Sequence, residues 1–296
     1  MKKVIFKGSG VAIITPMNND GSVNYDTLGK LIEFQIENKT DAIITCGTTG
    51  ESATLTEQEH HDVIKFTIEK VAKRVPVIAG TGSNNTEHAL KLSLDAEKLG
   101  ADALLIVTPY YNKTSQKGLI EHYTYIADRV NTPIITYCVP SRTGVTIKPE
   151  TYLELSKHKN IVATKEASGN ISELAKTISL CKDNLNVYSG NDDQIVPILS
   201  LGGLGVISVF ANVCPSECHD ITKLFFDGKI KESNEKFINS IDLMGELFSD
   251  VNPIPVKEAM NILGFNCGKC RLPLSTLSEK NILKLKEAMK NYGLNF

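Results

Sequence analysis

Short apolar runs rich in β-branched residues recur along the chain and alternate with segments whose apolar residues have helical spacing. Each run is only a few residues long, as expected of parallel strands that are covered on both faces. The runs occupy residues 11–15, 42–45, 77–79, 103–108, 134–137, 161–164, 187–188 and 206–209. Eight strand–helix repeats predict an α/β fold, a closed (β/α)8 TIM barrel.

The main alternative is a doubly wound open sheet. Such a sheet uses fewer strands and usually carries a glycine-rich phosphate loop after the first one. Here the first run is followed by Pro16-Met17-Asn18-Asn19-Asp20-Gly21, which has no G-x-G-x-x-G pattern. The sequence therefore favours the barrel.

Two local signals mark helix ends. Thr56 and Glu59 form the S/T-x-x-E pattern of a capping box, which predicts that a helix begins there. Gly100 follows an apolar stripe at the place where a left-handed residue ends a helix. After about residue 215 only helical patterns remain, so we divide the chain into a catalytic barrel (1–224) and a C-terminal helical extension (225–296).

Composition excludes several classes of protein. The chain has 296 residues, 32 Lys and Arg, 34 Asp and Glu, and a formal net charge of −2. Nucleic acid as the main partner is not expected, because phosphate binding needs a basic surface. No apolar run approaches the length of a membrane span, and Lys7 and Gly8 interrupt the N-terminal segment where a signal peptide would need a long apolar run. Seven cysteines, an odd count without a secretion signal, predict a cytoplasmic protein.

Barrel enzymes carry their active sites at the C-terminal ends of the strands. Lys165 follows the sixth apolar run, so its side chain is expected to point into the barrel mouth. Burial lowers the pKa of a lysine, and a neutral amine can form a Schiff base with a ketone. The alternative is a structural lysine that reaches solvent or pairs with Glu166.

The neighbouring strand ends supply groups that suit such chemistry. Thr48 and Thr49 stand between glycines, and their hydroxyls suit a small carboxylate, although a turn before the next helix is the alternative. Tyr137 ends the fifth run and either lines the wall or moves protons during imine formation. Arg142 is either a surface charge or a bidentate clamp for a substrate carboxylate.

Taken together, these segments resemble the dihydrodipicolinate synthase family of pyruvate-dependent class I aldolases. The resemblance covers nearly the whole chain, from Val11-Ala12-Ile13-Ile14-Thr15-Pro16 to Pro253-Ile254-Pro255-Val256-Lys257. The 47–52 loop and Lys165 mark the superfamily. Pro109-Tyr110-Tyr111-Asn112 and Val139-Pro140-Ser141-Arg142-Thr143-Gly144 point to this family within it.

The resemblance implies a 4-hydroxy-tetrahydrodipicolinate synthase activity, in which pyruvate condenses with L-aspartate 4-semialdehyde at the start of diaminopimelate and lysine biosynthesis. Lys165 matches the imine-forming lysine, and Tyr137 matches the proton donor and acceptor. Thr48 and Tyr111 match the proton relay, with Tyr111 lent to a neighbouring subunit's site. The positions matching substrate contacts are Thr49, Ile207, Gly190 and Arg142.

The resemblance also implies that no metal or organic cofactor is needed, because the lysine itself supplies the electron sink. It further implies a homotetramer built from two tight dimers, with a dimer as the alternative. Cys214, Cys218, His219, Cys267 and Cys270 have spacings that superficially resemble ligand pairs, but we interpret them as structural residues.

Two other functions remain open at this stage. A sister aldolase, such as N-acetylneuraminate lyase or a 2-keto-3-deoxy-sugar-acid aldolase, shares the lysine, the tyrosine and the 47–52 loop. Arg142 in its Pro-Ser-Arg-Thr-Gly context argues against it. The third hypothesis is a non-catalytic barrel that binds a keto acid, and the intact set Lys165, Tyr137, Thr48 and Tyr111 argues against that.

Some members of the family bind lysine as a feedback inhibitor. The matching positions are Ser52, Ala53, Glu57, His60, Asn84, His88 and Tyr110. Inhibited members carry an acidic residue where His88 stands and a histidine where Glu57 stands. A largely neutral His88 is a poor counter-ion for an ammonium group. We therefore expect lysine inhibition to be weak or absent.

Overall fold

The computed structural model, which describes residues 2–296, contains eight parallel strands that close into a barrel. Every strand pairs with the next one along the chain, and the eighth pairs with the first. The strands are β1 (Gly8–Ala12), β2 (Ala42–Thr45), β3 (Val77–Gly80), β4 (Ala103–Val107), β5 (Ile134–Cys138), β6 (Ile161–Glu166), β7 (Asn186–Ser189) and β8 (Gly205–Ser208). The predicted TIM barrel is confirmed.

Helices surround this barrel and continue beyond it. They are α1 (Tyr25–Glu37), α2 (Glu57–Val71), α3 (Thr86–Leu99), α4 (Gln116–Ala127), α5 (Pro140–Thr143), α6 (Pro149–Leu155), α7 (Ile171–Cys181), α8 (Ile195–Ser200), α9 (Pro215–Phe226), α10 (Ile230–Glu246), α11 (Ile254–Ile262) and α12 (Glu279–Asn291). Between residues 2 and 296, none of them combines the length and the apolar character needed to traverse a lipid bilayer.

Successive side chains of each strand point to opposite faces of the barrel wall. Ile44, Leu105 and Ile207 belong to the cluster that fills the barrel interior. Their strand neighbours Ile43 and Leu104 belong to the larger cluster between the wall and the helices. The strands are thus buried on both faces, which explains why the sequence shows continuous apolar runs.

The first strand lies earlier than the sequence predicts. We expected residues 11–15, but β1 spans Gly8–Ala12, so the predicted bounds are wrong. Gly8 and Gly205 pair across the closure of the barrel, and a methyl group on Gly205 would overlap the Gly8 carbonyl. Glycine is required there by close packing, and its weak strand propensity concealed the start of the strand.

The two helix signals are confirmed. The Thr56 hydroxyl accepts a hydrogen bond from the Glu59 N–H at 3.2 Å, and the Glu59 carboxylate accepts one from the Thr56 N–H at 2.9 Å. Gly100 caps α3 with a φ of 92°, in the left-handed region. Reciprocal capping fixes where α2 begins, and therefore the length of the loop that precedes it.

The extension packs on the barrel without a separate core. Leu243 of α10, Val256 of α11 and Leu285 of α12 belong to the same buried cluster as Val206 of the barrel wall. Our proposed boundary at 224/225 lies two residues before the end of α9 at Phe226. Because one apolar core crosses this boundary, we expect the two parts to unfold together.

Gly80 offers a test of how tightly the barrel wall holds the loop after β2. A methyl group at Gly80 would overlap the backbone carbonyl of Cys46, which begins the turn into that loop. We expect Gly80→Ala to destabilise the protein by about 1–3 kcal/mol, since overpacking forces the backbone to shift. Urea-induced unfolding followed by circular dichroism measures the change in unfolding free energy.

Gly245→Ala is the matched control. No heavy atom lies within 4 Å of the site where a Gly245 methyl group would stand, and the residue lies in α10. Alanine has the higher helix propensity, so this change is expected to be neutral or to stabilise by up to about 1 kcal/mol. Equal effects of the two substitutions would contradict the packing argument.

Candidate active site

Lys165 lies near the C-terminal end of β6, directly opposite Tyr137 of β5 in the strand register. Its side chain is only 5% exposed. The Nζ atom lies 4.3 Å from the centre of the Tyr137 ring. The sixth run extends two residues further than predicted, to Glu166, so Lys165 belongs to the strand itself. The barrel wall therefore fixes the position of the lysine backbone.

Burial controls the electrostatics of this amine. Removal from water lowers the pKa of Lys165 to about 8, against an ordinary value of 10.5. The nearby Asp192 carboxylate opposes this shift and the Arg142 guanidinium reinforces it. Burial is the largest cause, and a pKa of about 8 leaves roughly one Lys165 side chain in ten uncharged at pH 7. A neutral amine is the form that attacks a carbonyl group.

Tyr137 lies in the same desolvated environment. Burial raises the pKa of the Tyr137 phenol to about 12, while the Arg142 charge and the Thr48 hydroxyl lower it. The phenol is therefore protonated at neutral pH and can donate a proton. Tyr137 lies beside Lys165 and close enough to Thr48 for that hydroxyl to lower its pKa, so three of the four predicted catalytic residues lie together.

Glu166 faces the other side of the barrel wall from Lys165. Its carboxylate accepts hydrogen bonds from the Tyr152 hydroxyl and the Ser168 N–H, both at 2.8 Å. Burial raises the pKa of this carboxyl group. The alternative in which Lys165 is a structural partner of Glu166 is wrong, because neighbouring strand residues point to opposite faces.

Cys138 likewise faces away from the barrel interior. It is fully buried in the outer cluster, and its Sγ atom accepts a hydrogen bond from the Ile147 N–H at 3.5 Å. Burial raises the pKa of its thiol to about 12. A protonated thiol behind the wall acts as a small apolar side chain.

The 47–52 loop brings its hydroxyls to the barrel mouth. The Glu51 N–H donates to the Thr48 carbonyl at 3.1 Å, which closes a tight turn. Thr49 is 3% exposed, and its hydroxyl accepts a hydrogen bond from Nδ2 of Asn252 at 3.0 Å. Asn252 belongs to the extension and was missed by the sequence reasoning, because no local pattern connects it with a residue 203 positions earlier.

Arg142 lies in α5, the short helix that follows β5. It donates a hydrogen bond to the Asn252 backbone carbonyl at 3.1 Å. Thr48, Arg142 and Asn252 line one cavity of about 430 Å³. Arg142 is exposed, but this hydrogen bond holds it at the edge of the cavity, whose lining does not include Lys165 or Tyr137.

Gly190 and Ile207 lie on the neighbouring strand ends. A methyl group at Gly190 would stand 2.7 Å from Cβ of Ala167 and 3.1 Å from Cε of Lys165, so glycine fits this position without moving its neighbours. Ile207 of β8 is fully buried in the interior cluster that also contains Tyr137. The barrel therefore brings both predicted substrate-contact positions to the region of Lys165 and Tyr137.

Asp192 is a second residue that sequence reasoning missed. Its Oδ2 atom accepts hydrogen bonds from the Val209 and Phe210 N–H groups at 3.0 and 2.9 Å, and its side chain is 4% exposed. The other oxygen has no hydrogen-bond partner in the described residues. Its place in Ser189-Gly190-Asn191-Asp192, directly after β7, was the available signal.

Tyr111 is the one catalytic candidate that a single chain does not bring to the site. Its side chain is 92% exposed, and its φ of 67° places its backbone in the left-handed region. Such a conformation is uncommon for a large residue and holds the ring away from the chain's own core. Tyr110, the preceding residue, lines the cavity.

Most of the residues predicted for regulation border the same cavity. Ser52, Ala53, His60, His88 and Tyr110 line it, whereas Glu57 and Asn84 lie outside the lining. His60 donates from Nε2 to the Gly80 carbonyl at 2.8 Å if that nitrogen carries the proton, and burial lowers its pKa.

The cysteines do not form a ligand cluster. All seven are free, and Cys214, Cys218 and Cys267 are buried while Cys270 is partly buried. In the part of the chain that the structure describes, no three His, Cys, Asp or Glu side chains are arranged to hold a metal ion.

The fold and these strand ends define a class of protein: a TIM-barrel enzyme with a desolvated lysine at the C-terminal end of its sixth strand. A model of the dihydrodipicolinate synthetase family matches residues 5–292. The chain belongs to this family, whose enzymes are lyases.

Relatives and solved structures agree with this assignment. A 4-hydroxy-tetrahydrodipicolinate synthase from Caldicellulosiruptor saccharolyticus is 58% identical over 291 residues, covering 98% of each chain. A dihydrodipicolinate synthase from Acinetobacter baumannii, solved with pyruvate, is 41% identical with a TM-score of 0.96, covering 98% of this chain and 99% of its own. One from Cyanidioschyzon merolae, solved with lysine bound, is 38% identical with a TM-score of 0.96, covering 99% and 100%.

The lowered pKa of Lys165 predicts how adduct formation depends on pH. Only the unprotonated amine attacks, and its fraction changes about tenfold per pH unit well below the pKa. We expect the rate of pyruvate adduct formation to rise through neutral pH and level off above a midpoint of about 8. Trapping with cyanoborohydride at short times measures this rate. A midpoint close to the ordinary lysine value of 10.5 would contradict the assigned role of burial.

Proposed function

We propose that Lys165 forms a Schiff base with pyruvate and that the resulting enamine condenses with L-aspartate 4-semialdehyde to give 4-hydroxy-tetrahydrodipicolinate. The observation that carries this proposal is the buried Lys165 amine, with its lowered pKa, beside the Tyr137 phenol. Membership of the family supports the choice of substrates.

In the first half of the reaction, Nζ of Lys165 attacks the ketone carbon of pyruvate. Water leaves, and an iminium ion forms between the lysine and the former ketone carbon. The hydroxyls of Thr48 and Thr49 and the wall around Ile207 and Gly190 hold pyruvate beside the amine. Tyr137, having given its own proton to the departing oxygen, then accepts a proton from the pyruvate methyl group. The electron pair of the broken C–H bond moves toward the iminium nitrogen, which gives the enamine.

In the second half, the enamine carbon attacks the aldehyde carbon of L-aspartate 4-semialdehyde. Arg142 binds the carboxylate of this substrate at the rim of the cavity, in the bidentate manner that guanidinium groups favour. The substrate amino group then adds to the iminium carbon and displaces Lys165 as a free amine. The single water lost in the first step balances the overall reaction.

Tyr137 carries the protons between these steps. Its phenol, protonated at neutral pH because burial raises its pKa, donates to the departing oxygen and accepts protons again later. Thr48 and the Tyr111 side chain of a second copy extend this relay toward solvent. The 92% exposure of Tyr111 in one chain supports this arrangement, since the ring is free to reach a neighbouring site.

We infer that the protein is a homotetramer made of two dimers and that it works in the cytoplasm without a metal or organic cofactor. Completion of the site by Tyr111 requires at least a dimer. The free, buried cysteines are consistent with a reducing compartment. Size-exclusion chromatography with light scattering distinguishes the tetramer from the dimer.

Reduction of the protein with borohydride in the presence of pyruvate tests the proposed chemistry. We expect a pyruvyl adduct on the peptide that contains Lys165, seen by mass mapping, because reduction converts the iminium into a stable secondary amine. Lys165→Ala is expected to lose the adduct. Lys117→Ala, at a lysine that is 85% exposed, is the matched control and is expected to keep it.

The rival functions give different results in the same experiment. A folded wild-type protein without an adduct would refute both this proposal and the sister-aldolase alternative, and would favour the non-catalytic barrel. If the adduct forms, turnover with L-aspartate 4-semialdehyde supports the proposal. Turnover only with sugar-acid aldehydes would instead favour a sister aldolase.

Regulation by lysine is the point at which this chain departs from the inhibited members of its family. The Glu57 carboxylate is paired with Lys91 at 2.5 Å and lies 3.4 Å from Nε2 of His88. The hydrogen bond from Lys91 lowers the pKa of Glu57. This carboxylate already has a cationic partner, so it is poorly placed to capture the ammonium group of an inhibitor.

We therefore predict that lysine inhibits the wild-type protein weakly or not at all. Exchanging the two residues in the variant Glu57→His/His88→Glu restores the order of charges found in inhibited members and is expected to increase inhibition. A steady-state assay across a lysine series measures both proteins. Strong inhibition of the wild type at low millimolar lysine would refute this prediction.

A further inference from the structure

A buried ion pair joins the 47–52 loop to the extension. The Glu51 carboxylate and Nζ of Lys257 in α11 lie 2.6 Å apart, and their side chains are 1% and 2% exposed. The two residues are 206 positions apart in the sequence. Taking two charges out of water carries a large desolvation cost before their attraction is counted. A surface connection would avoid that cost, so the location of the pair calls for a functional reason.

Further hydrogen bonds hold both ends of this pair. The second Glu51 oxygen accepts a hydrogen bond from the Arg271 N–H at 2.8 Å. Nζ of Lys257 also donates to the Lys269 carbonyl at 3.0 Å. Glu51 has a φ of 56°, a left-handed conformation that is unfavourable for a residue with a side chain. The loop therefore keeps an unfavourable backbone conformation while the extension binds its side chain.

The same part of the extension also contacts Thr49 and Arg142, two of the four predicted substrate contacts. Asn252 immediately precedes Pro253, the N-cap residue of α11. Its side chain donates to the Thr49 hydroxyl, and its backbone carbonyl accepts from Arg142. Movement of α11 would thus be transmitted to the predicted pyruvate contact and to the predicted contact with the second substrate.

Glu51 is directly connected to the acid–base residues. Its N–H donates to the carbonyl of Thr48, three positions earlier, at 3.1 Å. The Thr48 hydroxyl in turn lowers the pKa of Tyr137. Displacement of Glu51 would therefore move Thr48, and the pKa of the Tyr137 phenol would rise further.

We propose that the Glu51–Lys257 pair is a positioning device for catalysis, through which the extension holds Thr48 and Thr49 in line with Lys165 and Tyr137. Neither member of the pair touches substrate; both act through the loop. This inference rests on the proposed function, because it assigns the extension a role in that same Schiff-base reaction.

The variants Lys257→Met and Glu51→Leu/Lys257→Met separate positioning from stability. Lys257→Met leaves a buried carboxylate unpaired, whereas the double variant removes both charges and replaces them with apolar groups. Replacing a whole buried pair is often neutral for stability, while breaking it is costly. We expect the double variant to recover the unfolding midpoint but not the catalytic rate.

Kinetics give the decisive comparison. We expect kcat to fall about 10²-fold in both variants, the size of effect that a displacement of about 1 Å in an active site can produce. Both variants are expected to form the borohydride-trapped adduct on Lys165, more slowly than the wild type. KM for pyruvate should rise in both variants, because the displaced loop no longer presents the Thr49 hydroxyl to the substrate. A loss of stability that leaves the protein folded changes neither kcat nor KM.

Lys236→Met is the matched control in the extension. Lys236 pairs with Asp220 at 3.3 Å on the surface, and neither residue takes part in the contacts described between the extension and the 47–52 loop. Loss of this surface pair is therefore expected to change kcat less than about twofold. If Lys257→Met does not fold, Glu51→Gln carries the comparison, because its amide oxygen keeps an acceptor for Arg271 while losing the charge.

The outcomes separate this inference from the proposed function. A wild-type protein that forms no adduct refutes both. If the wild type is active and the folded Lys257→Met or Glu51→Gln variant has unchanged kcat and KM, the positioning role alone is refuted. Recovery of both stability and kcat in the double variant also refutes the positioning role, since the pair would then serve stability only.

Discussion

Consecutive side chains on β6 leave the strand toward opposite faces of the barrel wall, and this alternation separates Lys165 from Glu166. Glu166 faces Tyr152 in the outer layer, while Lys165 faces Tyr137 in the interior. A one-residue slip of this strand would exchange them and place a carboxylate among the apolar side chains of the barrel. The register of the closed sheet is thus the constraint that makes a reactive amine available.

The interior then determines how the charge of Lys165 is balanced. Asp192 is the acid that opposes the effect of burial, but one of its oxygens already accepts two backbone N–H groups after β8. Burial raises the pKa of Asp192 as well, and these hydrogen bonds oppose that rise. For Lys165, burial outweighs the attraction of Asp192, and the pKa falls to about 8 instead of rising. An amine in this range can be both a nucleophile and a leaving group near neutral pH.

The sequence was sufficient for the barrel, because strands covered on both faces leave continuous apolar runs and capping residues mark the helix beginnings. It also predicted that Lys165 and Tyr137 lie close together, because residues at strand ends must meet at one end of a parallel barrel. It misplaced β1, where close packing of Gly8 and Gly205 replaces apolar side chains. It also missed Asn252, since contacts between residues two hundred positions apart leave no periodic signal.

This last omission changes the role of the extension. The catalytic and substrate-contact residues predicted from the sequence all lie between Thr48 and Ile207, outside the extension at 225–296. The loop after β2 instead has left-handed backbone at both Cys46 and Glu51, and such strain persists only when the surroundings over-determine the conformation. Gly80 leaves space for the Cys46 carbonyl on one side, and Lys257 binds Glu51 from the other. A barrel without its extension would supply only the first of these restraints, so the strained turn that presents Thr48 and Thr49 depends on chain folded two hundred residues later.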